Sequence, residues 1–302
     1  MNIIAVVVTY NRLELLKRNI SCLQKNKELS SIFVVNNGST DGTEEWLNTQ
    51  SEIHVIHQEN QGGSGGFYIG IQEAYKQGAE WIWCMDDDVF PRQDCLRQLL
   101  KYADRSDIGI MAPRRLVEGK IFTHEFQKYN FTNPLASMKK GKLAGKTITE
   151  ATEIVGADFE GPFIRRNVVE TIGLPNKDFF IFCDDTDYCL RAWTAGFKLL
   201  SVPDAILDKH HFFVNDSWTT RNLKKKWKRY YQVRNTAYLN HHYGKNGGVR
   251  YLRSLINVCG YMIIAFMTIP FSKAWKWSDL NMLRKAYLDG IHERLGIFNA
   301  QS

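Results

Sequence analysis

Trp81-Ile82-Trp83-Cys84-Met85 is unbroken apolar sequence that runs into Asp86-Asp87-Asp88, with Pro91 turning the chain just beyond. A short apolar run closed by turn signals reads as a buried strand. Strands apolar on both faces belong to parallel sheets covered by helices. The three acids then lie just past the carboxyl end of such a strand, the edge where open α/β sheets bind ligands. In extended chain alternate side chains share a direction, so Asp86 and Asp88 can converge while Asp87 faces elsewhere. Adjacent carboxylates repel, and a hard divalent cation suits the converging pair. Mg²⁺ commonly takes one or two carboxylates and fills its shell with substrate phosphates.

The surrounding sequence alternates in the same manner. Ile3 to Val8, Ile32 to Val35 and Ile53 to Ile56 are β-rich runs. Each is followed by polar or glycine-rich sequence and then a helical pattern, as with Leu13, Leu16, Ile20 and Leu23. That order predicts an α/β, Rossmann-like, mostly parallel central sheet. Gly62-Gly63-Ser64-Gly65-Gly66 opens a further helix. Its backbone N–H groups could approach phosphate or sugar oxygens, although glycine runs also serve as plain turns. It is neither a P-loop nor a dinucleotide fingerprint. Ile108 to Met111 reads as another strand, and residues 116 to 150 as an irregular insertion or lid.

A second acidic cluster, Asp184-Asp185-Thr186-Asp187, follows the apolar run Phe179 to Cys183 and precedes a helix with Leu190 and Trp193 inward. These acids would meet the first cluster near one sheet edge. A carboxylate near a bound cation and shielded from water can act as a general base. The competing role is helix capping by Asp184 or Asp185, with Asp187 favoured by the positive helix end. His210 and His211 end a later strand, and either could give a nitrogen to the cation.

Val6 to Arg12, Asn36 to Thr43, Asp86-Asp87-Asp88 and Phe182 to Arg191 together resemble the inverting, GT-A-fold glycosyltransferases of family 2 over roughly residues 3 to 240. Asn60 to Phe67, with the triple aspartate and the paired acids Asp184-Asp185 after Phe182, is similar to the galactofuranosyltransferase branch, whose pattern is Phe-x-x-Asp-Asp where this chain has Ile181 at the Phe position; rhamnosyltransferases stand close. The resemblance implies a UDP-sugar donor, Mn²⁺ or Mg²⁺, and an acceptor that is polyprenyl-diphosphate-linked or an oligosaccharide. Thr9, Asn11, Arg12, Asn37, Gly63 and Asp87 would lie on the donor side, with Thr9, Asn11 and Asn37 lining the uridine pocket. Asp86 and Asp88, joined by His210 or His211, would hold the metal. Asp185 would be the base and Asp184 would position hydroxyl groups. Phe159 to Arg166 would build the acceptor side, with Arg165 or Arg166 meeting a diphosphate. The implied organisation is a GT-A domain over 1–215, its nucleotide-sugar half about 1–115 and its acceptor half about 150–215. A helical, basic extension over 216–302 follows.

That extension has its own character. Residues 221–234 hold seven Lys/Arg and no acid, and Leu255 to Phe271 is a run of 17 residues without charge. Three placements fit the run: in the plane of a membrane surface, buried in a core or homo-oligomer contact, or across a bilayer. The net charge of +7 suggests an anionic partner for this part. The start of the chain does not read as a signal peptide. Six scattered cysteines fit reduced thiols. The expected location is therefore cytoplasmic, peripheral at the inner face of the cell membrane. A basic nucleic-acid-binding module is the non-enzyme alternative, but it would set both acid clusters against a polyanion, so no nucleic acid is expected. A nucleotidyltransferase would carry a basic, glycine-rich start that Thr9-Tyr10-Asn11-Arg12 lacks.

Overall fold

The computed structural model describes residues 1–122, 125–143, 148–212, 220, 223–271 and 275–298. The chain divides into two compact units: Met1–Lys128, Gly141–Lys177 and Asp184–His211 form the first, and Tyr129–Lys140, Asp178–Cys183 and Phe212–Ser302 the second. The boundary expected from sequence, at 215/216, keeps 178–183 with the catalytic part.

In chain order the first unit begins with β1 (Ile3–Thr9), α1 (Leu13–Leu23), β2 (Ser31–Asn36), α2 (Thr43–Leu47), β3 (Ile53–His57), α3 (Gly62–Lys76) and β4 (Trp81–Asp86). It continues with β5 (Val89–Pro91), α4 (Cys95–Leu100), β6 (Ile108–Val117) and β7 (Lys120–Ile121). The chain then passes through β8 (Phe126–Tyr129) and β9 (Lys139–Lys142), and returns as β10 (Thr152–Ile154), β11 (Phe163–Arg165), α5 (Arg166–Ile172), α6 (Asp184–Thr194) and β12 (Lys198–Lys209).

The main sheet runs β10-β12-β6-β11-β4-β1-β2-β3, with β5 paired to β12 and β7 to β6. β1 lies parallel to β2 and β4, and β2 parallel to β3. The parallel order expected from sequence is interrupted by β11, which runs antiparallel to both β4 and β6. β1 explains the layering. All seven of its residues are buried; Ile3, Ala5 and Val7 pack with Leu16 and Ile20 of α1, while Ile4, Val6 and Val8 pack with Phe67 and Ile71 of α3. A strand with helices on both faces has no polar side, hence its continuous apolar sequence.

Two sequence expectations change here. Residues 116–150 are not irregular throughout: β6 extends to Val117 and β7, β8 and β9 follow, while 144–147 lie outside the described residues. Trp193 does not face inward; it is exposed, whereas Leu190 is buried.

The second unit is helical: α7 (Lys228–Tyr243), a π-type turn at Gly248–Leu252, α8 (Arg253–Thr268) and α9 (Trp277–Ile291). Tyr230, Tyr231, Val258, Ala265, Leu283 and Ala286 form its core. Much of the expected basic surface is used internally. Arg234 is buried and donates to the carbonyls of Asp178 and Phe179, Lys226 pairs with Asp279 at 2.6 Å, and Arg229 stacks on Tyr261 and Trp275. Lys224 and Lys225 remain exposed, and Arg221 and Lys273 lie outside the described residues. The run from Leu255 gives Val258 and Ala265 to that core but is mostly exposed: Gly248–Thr268 is long and apolar enough to cross a membrane, yet little of it is buried.

Candidate active site

β4 delivers its acids to the carboxyl edge of the sheet because Trp81 to Met85 are all buried. Asp87 and Asp88 occupy the turn into β5. The buried Asn19 of α1 fixes that turn by donating to the Val89 carbonyl at 2.6 Å. β5 then pairs with the end of β12, matching Lys209 to Val89, and the His210 amide donates to the Asp88 carbonyl at 2.8 Å. The end of β12 is thereby set against the acids.

The three aspartates meet different partners. Asp87 accepts from Thr9 Oγ1 at 2.7 Å and Arg12 Nη1 at 3.0 Å. Burial still pushes its carboxyl up to about 6, against the pull of Arg12 and Thr9. Burial, then repulsion from Asp88 and Glu160, drives Asp86 well above the usual carboxylate range. Asp88 accepts from Lys209 Nζ at 3.1 and 3.2 Å through its two oxygens, with Arg12 Nη1 3.6 Å away. Asp87 thus turns to Thr9 and Arg12, while Asp86 and Asp88 both have Lys209 as a charged neighbour.

Glu160 carries the network inward. Its Oε1 lies 2.9 Å from Lys209 Nζ, and its Oε2 is 2.5 Å from Arg115 Nη1. Arg115, fully buried, also pairs with Asp158 at 2.8 Å and Glu125 at 3.1 Å. Burial raises the Glu160 carboxyl, but Arg115 and Lys209 overcome it and hold the group below its ordinary value. Asp86, Asp87, Asp88, Glu125, Asp158 and Glu160 thus set six carboxyl groups against the three cations of Arg12, Arg115 and Lys209, an excess that in a buried place pushes Asp86 and Asp87 toward protonation. Such an excess calls for a further cation. Among the described residues no three His, Cys, Asp or Glu side chains form a ready-made metal cage. An ion of the Mg²⁺ type needs only one or two carboxylates beside phosphate oxygens, so the hard oxygens of Asp86 and Asp88 fit it.

The two histidines separate. His210 is tied through its backbone to Asp88, whereas the His211 ring pairs with Glu118 at 3.0 Å.

α6 brings the second acid cluster to the same edge. Tyr188 packs on Phe159, and Phe159 on Phe67 of α3, with ring centroids 5.9 and 4.7 Å apart. One turn earlier, Asp184 is buried at the start of α6, and burial pushes its carboxyl up to about 6 against the opposing effect of the nearby Ser64 hydroxyl. Ser64 Oγ is itself buried without reaching strict hydrogen-bond geometry. Because α3 starts at the carboxyl edge of the parallel strands, Asp184 sits on the edge that carries Asp86 to Asp88. Asp185 is half-buried, and its Oδ1 accepts from the Thr186 hydroxyl at 3.1 Å and from the Thr186 amide. Asp187 pairs with Arg191 at 2.9 Å, a helix-stabilising arrangement.

The glycine-rich stretch is the first turns of α3, not a loop. An added Cβ on Gly66 would stand 2.5 Å from Val8 Cγ1, and one on Gly70 2.4 Å from Val6 Cγ1. These glycines let the helix lie close on β1. Gly63 faces open space, so its backbone is accessible at the helix start.

The residues expected on the donor side have partners within the fold. The Asn37 side chain is buried; its amide donates to Gly62 O at 2.9 Å and its Oδ1 accepts from Gln58 Nε2 at 2.8 Å and the Gln61 amide at 3.1 Å. It fastens β2 to the start of α3. Thr9 is likewise buried against Asp87. Asn11 adopts a left-handed φ of 52° and accepts from the Thr40 amide at 2.7 Å. Arg165 and Arg166 are not at this edge. Arg165 aligns with Trp81, the first residue of β4, roughly 16 Å from the acids at strand rise. It donates to the carbonyls of Ala103, Arg105 and Ile108, and Arg166 donates to Tyr75. Glu160, Arg115 and Lys209 form a charged network at this edge to which sequence assigned no individual role.

A mostly parallel sheet with a metal-suited acid pair and a second acidic turn at its carboxyl edge is the framework of an α/β enzyme that binds its ligand at that edge. The chain belongs to the glycosyl transferase family 2, whose model matches residues 4–173. It is 27% identical over 248 residues to the dTDP-rhamnosyl transferase RfbF of Shigella flexneri, covering 79% of each chain. It is 24% identical over 247 residues to galactofuranosyltransferase GlfT1 of Mycolicibacterium smegmatis, covering 78% of this chain and 82% of that one. Among solved structures, GalNAc-T7 with UDP, GalNAc and Mn²⁺ superposes with a TM-score of 0.59 at 16% identity, over 91% of this chain and 58% of that one, a likeness of fold. The protein is therefore a glycosyltransferase.

Proposed function

We propose that the protein is an inverting, metal-dependent enzyme that moves galactofuranose from UDP-galactofuranose to a hydroxyl of a lipid-linked or growing polysaccharide acceptor. The observation that carries this reading is the carboxylate excess at the end of β4, facing the start of α3. In it Asp86 and Asp88 would hold Mn²⁺ or Mg²⁺, and His210, tied through its backbone amide to Asp88, is favoured over His211 as the histidine that would join them. When bound, the ion neutralises charge developing on the departing diphosphate. Arg12 sits at the mouth of the site between Asp87 and Asp88 and helps orient the donor. Gly63 offers backbone to donor oxygens. Asp185 takes the proton from the acceptor hydroxyl as its oxygen attacks the anomeric carbon. The bond from that carbon to the diphosphate oxygen breaks, and its electron pair leaves with UDP. A single displacement inverts the anomeric centre. Asp184, buried beside Ser64, positions hydroxyl groups.

The similarity to a dTDP-rhamnosyl transferase favours a second donor, dTDP-rhamnose, on the same scaffold. A transfer assay and calorimetry with both nucleotide sugars and Mn²⁺ decide between them. Asp185→Asn is expected to bind donor nearly as wild type and to lose turnover by about 10³-fold or more. Asp88→Ala is expected to lose metal-dependent donor binding. Near wild-type transfer by Asp185→Asn would remove it as the base, and unchanged metal-dependent binding by Asp88→Ala would remove the metal assignment.

A further inference from the structure

Lys209 stands where no role in the reaction has been given to it. Its ammonium reaches both oxygens of Asp88, at 3.1 and 3.2 Å, and Glu160 at 2.9 Å. Its side chain is only 13% exposed. The backbone pins it from both sides, since Lys209 pairs with Val89 of β5 and Val117 of β6. Burial works against its charge, but Glu160, Asp88 and Asp86 hold it protonated more strongly than an ordinary lysine. Both Asp88 oxygens are thus covered by a cation of the protein's own.

A metal ion ligates carboxylate oxygen at roughly 2.0–2.1 Å for Mg²⁺. Bridging the two oxygens at 3.1 and 3.2 Å, the ammonium occupies the position a metal held by both oxygens would take, and its charge repels a second cation, so the two compete for Asp88. A lysine is suited to leave: its charge is compact and rides on a flexible four-carbon stem. Glu160 gives it a place to stay, because that carboxylate is also neutralised by Arg115.

We propose that Lys209 is a resident counter-ion that exchanges with the divalent cation. It covers Asp88 in the metal-free enzyme and withdraws from Asp88 when the metal arrives. The inference rests on the metal reading above. It adds that metal affinity is set by competition with a side chain of the same chain.

Mn²⁺ alone is the probe, titrated into the full chain and followed by the loss of the free-ion electron paramagnetic resonance signal. Lys209→Met is expected to bind Mn²⁺ about tenfold more tightly than wild type, since no ion pair must be broken. In EDTA it should melt below wild type, and saturating Mn²⁺ should close that gap. Removing a nearby positive charge could tighten binding without any exchange, so a second measurement uses the wild-type protein. Acetic anhydride labelling read by mass spectrometry should rise several-fold at Lys209 on Mn²⁺ loading, with the exposed Lys27 as reference. Equal or weaker Mn²⁺ binding by Lys209→Met overturns the proposal. So does unchanged labelling at Lys209 in a protein that demonstrably binds Mn²⁺. Absence of Mn²⁺ binding by both wild type and variant would sink the metal reading itself, a distinct result.

Discussion

Asp184 and Asp87 are each lifted to about 6 by burial, so the site keeps carboxylates where ionisation is costly. For Asp184 the consequence for stability has a definite sign. Its folded pKa is raised from 3.8 to about 6. Between those values the folded state binds more protons than the unfolded state, so its contribution is complete below about 4 and is lost as pH rises through about 6. Asp184→Asn should therefore be more stable than wild type at pH 7.5, by up to roughly 3 kcal/mol for a shift of about two pKa units. The advantage should shrink toward pH 5. Melting curves of both proteins across that range check it. A variant less stable at every pH would mean that the hydrogen bonds of the carboxylate outweigh its burial. At this scale the sequence showed the acids readily, because they are adjacent and each cluster follows an apolar run. Glu160, Arg115 and Lys209 were not legible. They lie far apart in sequence: β12 paired with β6 brings Lys209 near Arg115, and the Gly161 amide bonded to the Cys84 carbonyl sets Glu160 beside them. The bonds of Asn37 were not legible either: a polar residue at a strand end reads only as a ligand contact, and the sequence does not show that its amide also joins β2 to the start of α3.

α3 shows what an element contributes to the site. Its position on β1 depends on glycines that face Val8 and Val6, and the same close approach brings Ser64 near Asp184. Gly66→Ala should destabilise the protein by about 1–3 kcal/mol, as overpacking does, despite a gain of about 1 kcal/mol in helix propensity. Gly63→Ala, with nothing within 4 Å of the new Cβ, isolates the propensity gain and should be neutral or stabilising. Urea unfolding of the two variants tests the pair; equal stability would show that α3 moves off the strand at little cost. The strands and helices up to β4 were legible because each has a clear period or a continuous apolar run. β11 was not: three residues, Phe163 to Arg165, are too few to carry a period. Its antiparallel direction also takes Arg165 to the opposite end of β4, which is why a pair of arginines read as an acceptor contact proved to hold backbone carbonyls instead.

On the scale of the whole molecule, the C-terminal third was legible as helical and basic, but composition did not show which charges are used inside the unit. Arg234 and Lys226 have internal partners. The apolar side chains show the opposite pattern: Ile263, Phe266 and Met267 of α8 are 59%, 60% and 65% exposed. Contiguous exposed apolar surface marks a binding face, and a helix of this kind beside exposed lysines suits an anionic membrane surface, where each basic residue adds about 1 kcal/mol. The full chain should float with vesicles containing anionic lipid and float less as salt rises. Ile263→Asp combined with Phe266→Asp should abolish flotation while leaving Mn²⁺ binding and the melting temperature unchanged, because both positions are at the surface. Lys224→Glu with Lys225→Glu should reduce binding mainly at low salt, where screening is weak. Flotation by the double aspartate variant at the wild-type level would exclude α8 as the docking face, and a wild-type protein that stays with the soluble fraction would exclude the membrane from this enzyme's acceptor chemistry.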